Sequence, residues 1–123
     1  MKAENPLLDK SYALALRIVK TTQYLQQEKR EFILSKQLLR SGTSIGANSE
    51  EAVGAQSKAD FLAKLSIVYK EARETRYWLR LLRDSEFFTI PQAESLIDDT
   101  DEILKITGSI IKTLKQQLDE QNS

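Results

Sequence analysis

Residues 38–52 read LLRSGTSIGANSEEA, and this stretch decides which fold the chain can adopt. Apart from Ile45 its middle is small or polar, and two glycines inside a helix cost about 1 kcal/mol each relative to alanine. Those local preferences favour a loop. Leu38, Ile45 and Ala52 nevertheless recur every seven residues, with Gly42 at an intervening heptad position. The repeat predicts one continuous helix with a seam of large and small residues; a polar loop between two short helices is the alternative.

Four helix starts can be identified along the chain. Asn5 before Pro6, then Ser35, Ser57 and Thr89, are residue types that cap helix N-termini, and each precedes an apolar repeat of helical period. The predicted helices span about 6–28, 35–54, 58–87 and 90–118. Short connections favour antiparallel neighbours. We therefore predict an all-α protein, a single domain over 1–123 folded as an antiparallel up-down-up-down four-helix bundle.

Composition removes several classes of function. The 18 basic and 18 acidic residues balance, so attraction to an anionic partner requires local segregation of charge. The chain has no cysteine and no histidine, and so lacks the usual general base and the commonest nitrogen ligand of metals. The longest apolar run, Tyr12 to Leu16, is far short of the ~20 residues that cross a bilayer. We predict a cytoplasmic, non-enzymatic protein without cofactor, metal or membrane partner.

Helix 3 is predicted to carry a basic face. Five cations project within about 80° of one another on a helical wheel, while three acidic residues point to the other side. These five, the basic face, are Lys58, Arg73, Arg76, Arg80 and Arg83. Such a cluster suits contacts to phosphates, and Tyr69 and Tyr77 nearby could stack on unpaired bases, which favours binding of RNA or DNA. The alternative is structural: carboxylates of another helix or subunit, such as Glu50 or Glu51, pair with these cations.

A second set of residues is assigned to packing between helices or subunits. The apolar arc of helix 1 covers roughly 200°, whereas a surface helix needs only about 100°, so more than one neighbour is expected. Ile67 and Trp78 lie outside the core stripe of helix 3, as an apolar patch for a further contact. The full set comprises Leu14, Ile18, Gly42, Ile45, Gly46, Ile67, Trp78 and Leu81. We therefore predict a homo-oligomer.

Two groups of acidic residues are candidate metal sites. Glu50 and Glu51, followed by Glu71 and Glu74, are similar to the magnesium-binding carboxylates of all-α nucleotide pyrophosphatases, which makes such an enzyme a remote alternative. That pattern needs another carboxylate one turn after the first pair, where this chain has Gly54. Capping and ion pairing are the preferred roles. The run of acidic residues in helix 4 is interpreted as solvated surface near a helix N-terminus, and it comprises Asp98, Asp99, Asp101 and Glu102.

Three segments carry a resemblance to a known family. SGTSIGANSEEA (41–52), SKADFLAKLSIVYKEA (57–72) and RETRYWLRLL (73–82) resemble the 23S ribosomal RNA intervening-sequence, or S23, family, and the likeness covers about 5–118. Its members are encoded within insertions in bacterial 23S ribosomal RNA genes or as free-standing genes. The resemblance implies a four-helix bundle in a barrel-like homopentamer. More distant relatives, the accessory variability proteins of diversity-generating retroelements, bind nucleic acid and a reverse transcriptase.

The leading hypothesis combines these observations. The chain is expected to be a non-enzymatic bundle, assembled with itself as a pentamer, that binds RNA or DNA through the basic face of helix 3. The alternative is a scaffold or adaptor whose partner is another protein and which binds no nucleic acid.

Overall fold

The computed structural model describes residues 5–122, whose regular structure is entirely helical. The helices are α1 (Pro6–Gln27), α2 (Leu34–Val53), α3 (Lys58–Asp84) and α4 (Ile90–Gln121). This confirms the predicted all-α class. No helix between residues 5 and 122 combines the length and the apolar character that crossing a membrane requires.

Each helix packs against the next along the chain, and α4 closes the ring against α1. Contacting residues run in opposite directions on neighbouring helices. On α1 and α4, Lys10 pairs with Glu102 and Arg17 with Asp99, so numbers rise along one helix as they fall along the other. The predicted antiparallel up-down-up-down bundle is confirmed.

The continuous helix predicted through the small residues is present as α2, and the loop alternative is wrong. Gly42 faces Ile18 so closely that a Cβ there would lie 2.8 Å from Ile18 Cγ2. The buried hydroxyls of Ser41 and Ser49 donate hydrogen bonds to carbonyls of their own helix. Ser49 Oγ, for example, donates to Ile45 O at 2.7 Å. Close helix approach therefore outweighs the poor helix propensity of this stretch, at no cost in unpaired polar groups.

Three of the predicted N-caps are confirmed. Asn5 Oδ1 accepts from the backbone N–H of Leu8 at 3.2 Å, and Ser57 Oγ accepts from that of Asp60 at 3.0 Å. Thr89 and Gln92 form a reciprocal capping box at the start of α4. These starts follow from side chains that reach only their own first turn.

The start of α2 was predicted wrongly. Ser35 is not the N-cap but a buried residue inside the first turn. The carboxylate of Glu31 takes the capping role, because it accepts from the backbone N–H groups of Ile33 (3.3 Å), Leu34 (3.1 Å) and Ser35 (2.7 Å). One long acidic side chain thus satisfies three amides that a serine hydroxyl could not reach together.

The end of α3 also differs from the prediction near residue 87. The helix ends at Asp84, and Glu86 adopts a left-handed φ of 65°. The N–H of Phe87 then donates to Leu82 O and that of Glu86 to Arg83 O, both at 3.0 Å, which is a Schellman motif. This motif usually carries glycine at the left-handed position. Because Glu86 occupies that position here, the sequence contains no glycine that would predict the end of the helix.

Candidate nucleic-acid interface

Helix α3 has two charged flanks that face different neighbours. On the α2 side, Arg40 pairs with Glu71 at 3.3 Å and also with Glu74. Glu71 is a buried carboxylate, with only 10% of its side chain exposed. The acidic flank, Glu71 and Glu74, is therefore paired with α2. The basic face lies on the other side of α3, towards α4.

Two cations of the basic face are paired with carboxylates of α4. Arg76 Nε lies 2.7 Å from Asp101 Oδ1, and Arg83 Nη1 lies 2.9 Å from Glu94 Oε1. Arg83 also donates to Asp84, and this hydrogen bond lowers the pKa of the Asp84 carboxyl. The structural alternative thus describes Arg76 and Arg83, although their partners come from α4 and not from Glu50 or Glu51.

The other three cations of the basic face are exposed. Within residues 5–122, Arg73 and Lys58 make no side-chain ion pair, and Arg80 acts on Asp84 only through its charge. A free guanidinium retains all its donors for an incoming phosphate. The part of the basic face open to an anionic ligand is therefore centred on Arg73.

Sequence reasoning missed a group of cations on α4. Lys112 and Lys115 are exposed, and with Tyr69 of α3 they line a hollow between the two helices, here named the α3–α4 groove. Its full lining is Ser66, Tyr69, Gly108, Ile111, Lys112 and Lys115. The signal was the spacing of Gly108, Lys112 and Lys115 on one face of α4, which becomes informative only once α3 is known to lie opposite.

The predicted packing set divides into core and surface. Leu14, Ile18, Gly42 and Ile45 are buried inside the bundle and hold helices of one chain together. Gly46 lies beside the Ser11 carbonyl, and its absent Cβ would stand 3.6 Å from that oxygen. These five residues therefore pack against helices of their own chain, and the four buried ones are not available to another subunit.

The remaining members of the packing set lie nearer the surface. Trp78 and Leu81 are partly buried, and Trp78 Nε1 donates to Glu74 at 3.4 Å. Ile67 is 42% exposed. A larger apolar surface lies on α1, where Tyr12 is 65%, Leu16 50% and Val19 37% exposed. These three residues, the α1 strip, are the exposed half of the wide apolar arc.

The residues of the acidic run of α4 lie at the surface, as interpreted, but three of the four also make ion pairs between helices. Asp99 pairs with Arg17, Asp101 with Arg76 and Glu102 with Lys10, so α4 is joined to both of its neighbours by charge. Throughout residues 5–122, no three acidic side chains converge in a group that could hold a metal ion. Of the carboxylates that resemble a magnesium site, Glu71 and Glu74 both pair with Arg40.

Comparison with known proteins places the chain in a family. No curated protein matches it. A crystal structure of a protein of unknown function from the S23 ribosomal protein family of Bacteroides thetaiotaomicron VPI-5482 is 55% identical, with a TM-score of 0.85, over 86% of this chain and 98% of that chain. Residues 4–109 match the family described as 23S rRNA-intervening sequence protein. This four-helix bundle therefore belongs to the 23S rRNA-intervening sequence protein family.

Proposed function

We propose that this protein is a non-enzymatic, cytoplasmic homo-oligomer that binds RNA or DNA through the basic face of α3. The observation that supports binding is Arg73, an exposed arginine with no ion pair in the described part of the chain, set between the paired Arg76 and the α3–α4 groove. The chain has no net charge, so a local group of unpaired cations is what nucleic acid would recognise.

The salt dependence of binding follows from the number of free cations. Contacts of Lys58, Arg73 and Arg80 with three phosphates would release counterions and give a slope of about −2 for log affinity against log salt on a single strand. Arg76 and Arg83 contribute less, because each would first have to leave a carboxylate of α4.

Replacing Arg73 by glutamine is expected to weaken binding about tenfold and to reduce the salt slope by about 0.7, because one charge-assisted phosphate contact is lost. The measurement is fluorescence anisotropy against structured RNA, single-stranded DNA and duplex DNA at two salt concentrations. Lys36→Gln is the control, since it removes an exposed, unpaired cation from α2. An equal loss in the control, or no binding by folded protein at low salt, contradicts the proposal and leaves the protein scaffold as the better account.

A second observation, the α1 strip, favours association with protein. Three large apolar side chains spaced one turn apart on an exposed helix face are typical of an interface. In the proposed assembly this interface joins copies of the chain, and the family resemblance implies five of them. If nucleic acid does not bind, the same strip supports the scaffold or adaptor alternative.

Leu16→Glu is expected to dissociate the assembly towards the 14.1 kDa chain, because a carboxylate would be buried at the interface. Sedimentation velocity over a range of concentrations measures the change. The control, Thr113→Glu, introduces the same charge at an exposed position of α4. Wild-type protein that sediments as one chain at all concentrations contradicts self-association, and dissociation of both variants alike contradicts the assignment to the α1 strip.

A further inference from the structure

The outer seam between α3 and α4 changes character along its length. Arg83 of α3 pairs with Glu94 of α4. Seven residues earlier on α3 and seven residues later on α4, Arg76 pairs with Asp101. The next step of seven places Tyr69 beside Gly108, where an ion pair would continue the series. A Cβ at Gly108 would stand 3.5 Å from Tyr69 Cε2, so the edge of the aromatic ring lies next to the glycine. Beyond this point the seam opens into the α3–α4 groove, whose lining includes Lys112 and Lys115.

The α3–α4 groove begins at this tyrosine. Its volume is about 400 Å³, within the range of about 300–1,000 Å³ typical of small-ligand pockets. The lining combines an aromatic ring, the apolar side chain of Ile111 and the ammonium groups of Lys112 and Lys115. Neither lysine makes an ion pair with any residue of 5–122, and no carboxylate lines the groove. An aromatic ring and an apolar side chain beside two exposed, unpaired cations suit a flat base joined to a phosphate.

The opposite side of Tyr69 has the reverse charge. A second hollow there is lined by three acidic residues, Asp98, Asp101 and Glu102, besides Leu104 and Lys105. Arg76 and Lys10 neutralise Asp101 and Glu102, but Asp98 makes no ion pair within the described residues. These carboxylates would repel a phosphate. A phosphate is therefore expected on the side of Tyr69 where Lys112 and Lys115 lie.

Given that the proposed nucleic-acid binding holds, we infer that the α3–α4 groove holds one unpaired nucleotide, with its base on the Tyr69 ring and its phosphate at Lys112 and Lys115. Bases within a duplex are stacked on both faces and cannot present one to a side chain, whereas an unpaired base can. Arg73 lies one turn from Tyr69 on α3, on the side of the paired Arg76, so it serves the proposed function separately from the groove. Single-stranded nucleic acid is therefore the preferred ligand.

Substitution of Tyr69 tests the base contact. With a fluorescent single-stranded oligonucleotide as probe, Tyr69→Leu is expected to weaken binding about 5- to 150-fold, the range given by loss of one stacked base. Tyr69→Phe keeps the ring and should bind like the wild type. Tyr24→Leu is the matched control, because Tyr24 is a partly buried tyrosine, like Tyr69, but lies on α1, outside the groove and the basic face. The same sequence is tested as RNA, as DNA and as a duplex.

A separate variant tests the phosphate contact. It changes no partly buried residue such as Tyr69, so it is not expected to disturb the fold. Lys112→Gln with Lys115→Gln changes only exposed side chains and is expected to lower the salt slope on a single strand by about 1.4. Photocrosslinking of a 5-iodouridine strand gives the position directly. Trypsin cuts at Lys70 and Arg76, so Tyr69 and Tyr77 fall in different peptides. We expect the crosslink in the Tyr69 peptide.

The outcomes separate this inference from the proposed function. Loss of affinity in Arg73→Gln, with full affinity in Tyr69→Leu and in the double lysine variant, overturns the nucleotide site and leaves the proposed function standing. Equal affinity for single strand and duplex, or a crosslink confined to the Tyr77 peptide, also overturns the site. No binding to any probe by the folded wild type overturns both.

Discussion

Replacing Gly42 by alanine is expected to lower the free energy of unfolding by up to about 2 kcal/mol. The added Cβ would lie 2.8 Å from Ile18 Cγ2 and 3.3 Å from Ile18 Cβ, so no rotation of the Ile18 side chain relieves the contact. Overpacking of this kind costs about 1–3 kcal/mol, and the better helix propensity of alanine returns about 1 kcal/mol. Urea denaturation measures the difference, at matched protein concentration because self-association shifts apparent stability.

Gly46→Ala is the matched control, one turn further along α2. Its Cβ would meet the Ser11 carbonyl oxygen at 3.6 Å, which is ordinary van der Waals contact, so the propensity gain of up to about 1 kcal/mol should remain. The same chemical change in the same helix is therefore expected to have opposite effects, which differ by the overpacking cost of about 1–3 kcal/mol. Equal effects at the two positions would show that close helix approach does not depend on Gly42.

A double-mutant cycle identifies the partner. Ile18→Ala removes both γ carbons from a fully buried side chain and by itself should cost about 2–5 kcal/mol. In that background the methyl group of Gly42→Ala enters the vacated space and should no longer destabilise. The double variant is then more stable than the sum of the single changes predicts. Additive effects would assign the cost of Gly42→Ala to some contact other than Ile18.

The fold was predictable because its decisive signals are local. Leu38, Ile45 and Ala52 repeat with a heptad period, and all three are buried in the structure. Such a period predicts a helix even where helix propensity is poor, because burial against a neighbouring helix stabilises the helix by more than the low propensity destabilises it. The ends of helices were less predictable. Glu31 caps α2 where Ser35 was expected to do so, and Glu86 takes the left-handed position where glycine is usual. Capping preferences of residue types do not predict glutamate at either position.

The candidate site was predictable only in part, because it is made by two helices. The positions of Arg73 and Arg76 on one face of α3 follow from helical geometry alone. Which of them is paired depends on the register between α3 and α4, a tertiary property. One signal was present: Glu94 and Asp101 have the same spacing as Arg83 and Arg76, as antiparallel partners in register must.

Arg40→Ala is expected to destabilise the bundle by about 2–3 kcal/mol. The arginine bridges Glu71 and Glu74, and Glu71 has only 10% of its side chain exposed. Without Arg40, a nearly buried carboxylate loses its countercharge and stands beside a second negative charge one turn away. The expected cost is below the 3–5 kcal/mol of a fully buried pair, because 49% of the Arg40 side chain is exposed to water.

Two further variants show whether buried charge causes the loss. Arg17→Ala breaks an ion pair whose side chains are 41% and 42% exposed, so it should cost less than about 1 kcal/mol. Adding Glu71→Gln to Arg40→Ala should restore most of the stability, because an amide is buried at lower cost than an unpaired carboxylate. If Arg40→Ala costs no more than Arg17→Ala, water solvates Glu71 and the acidic flank does not fix α3 against α2. If the amide restores stability, Arg40 is what allows α3 to carry opposite charges on its two flanks, the acidic one neutralised by α2 and the basic one facing α4.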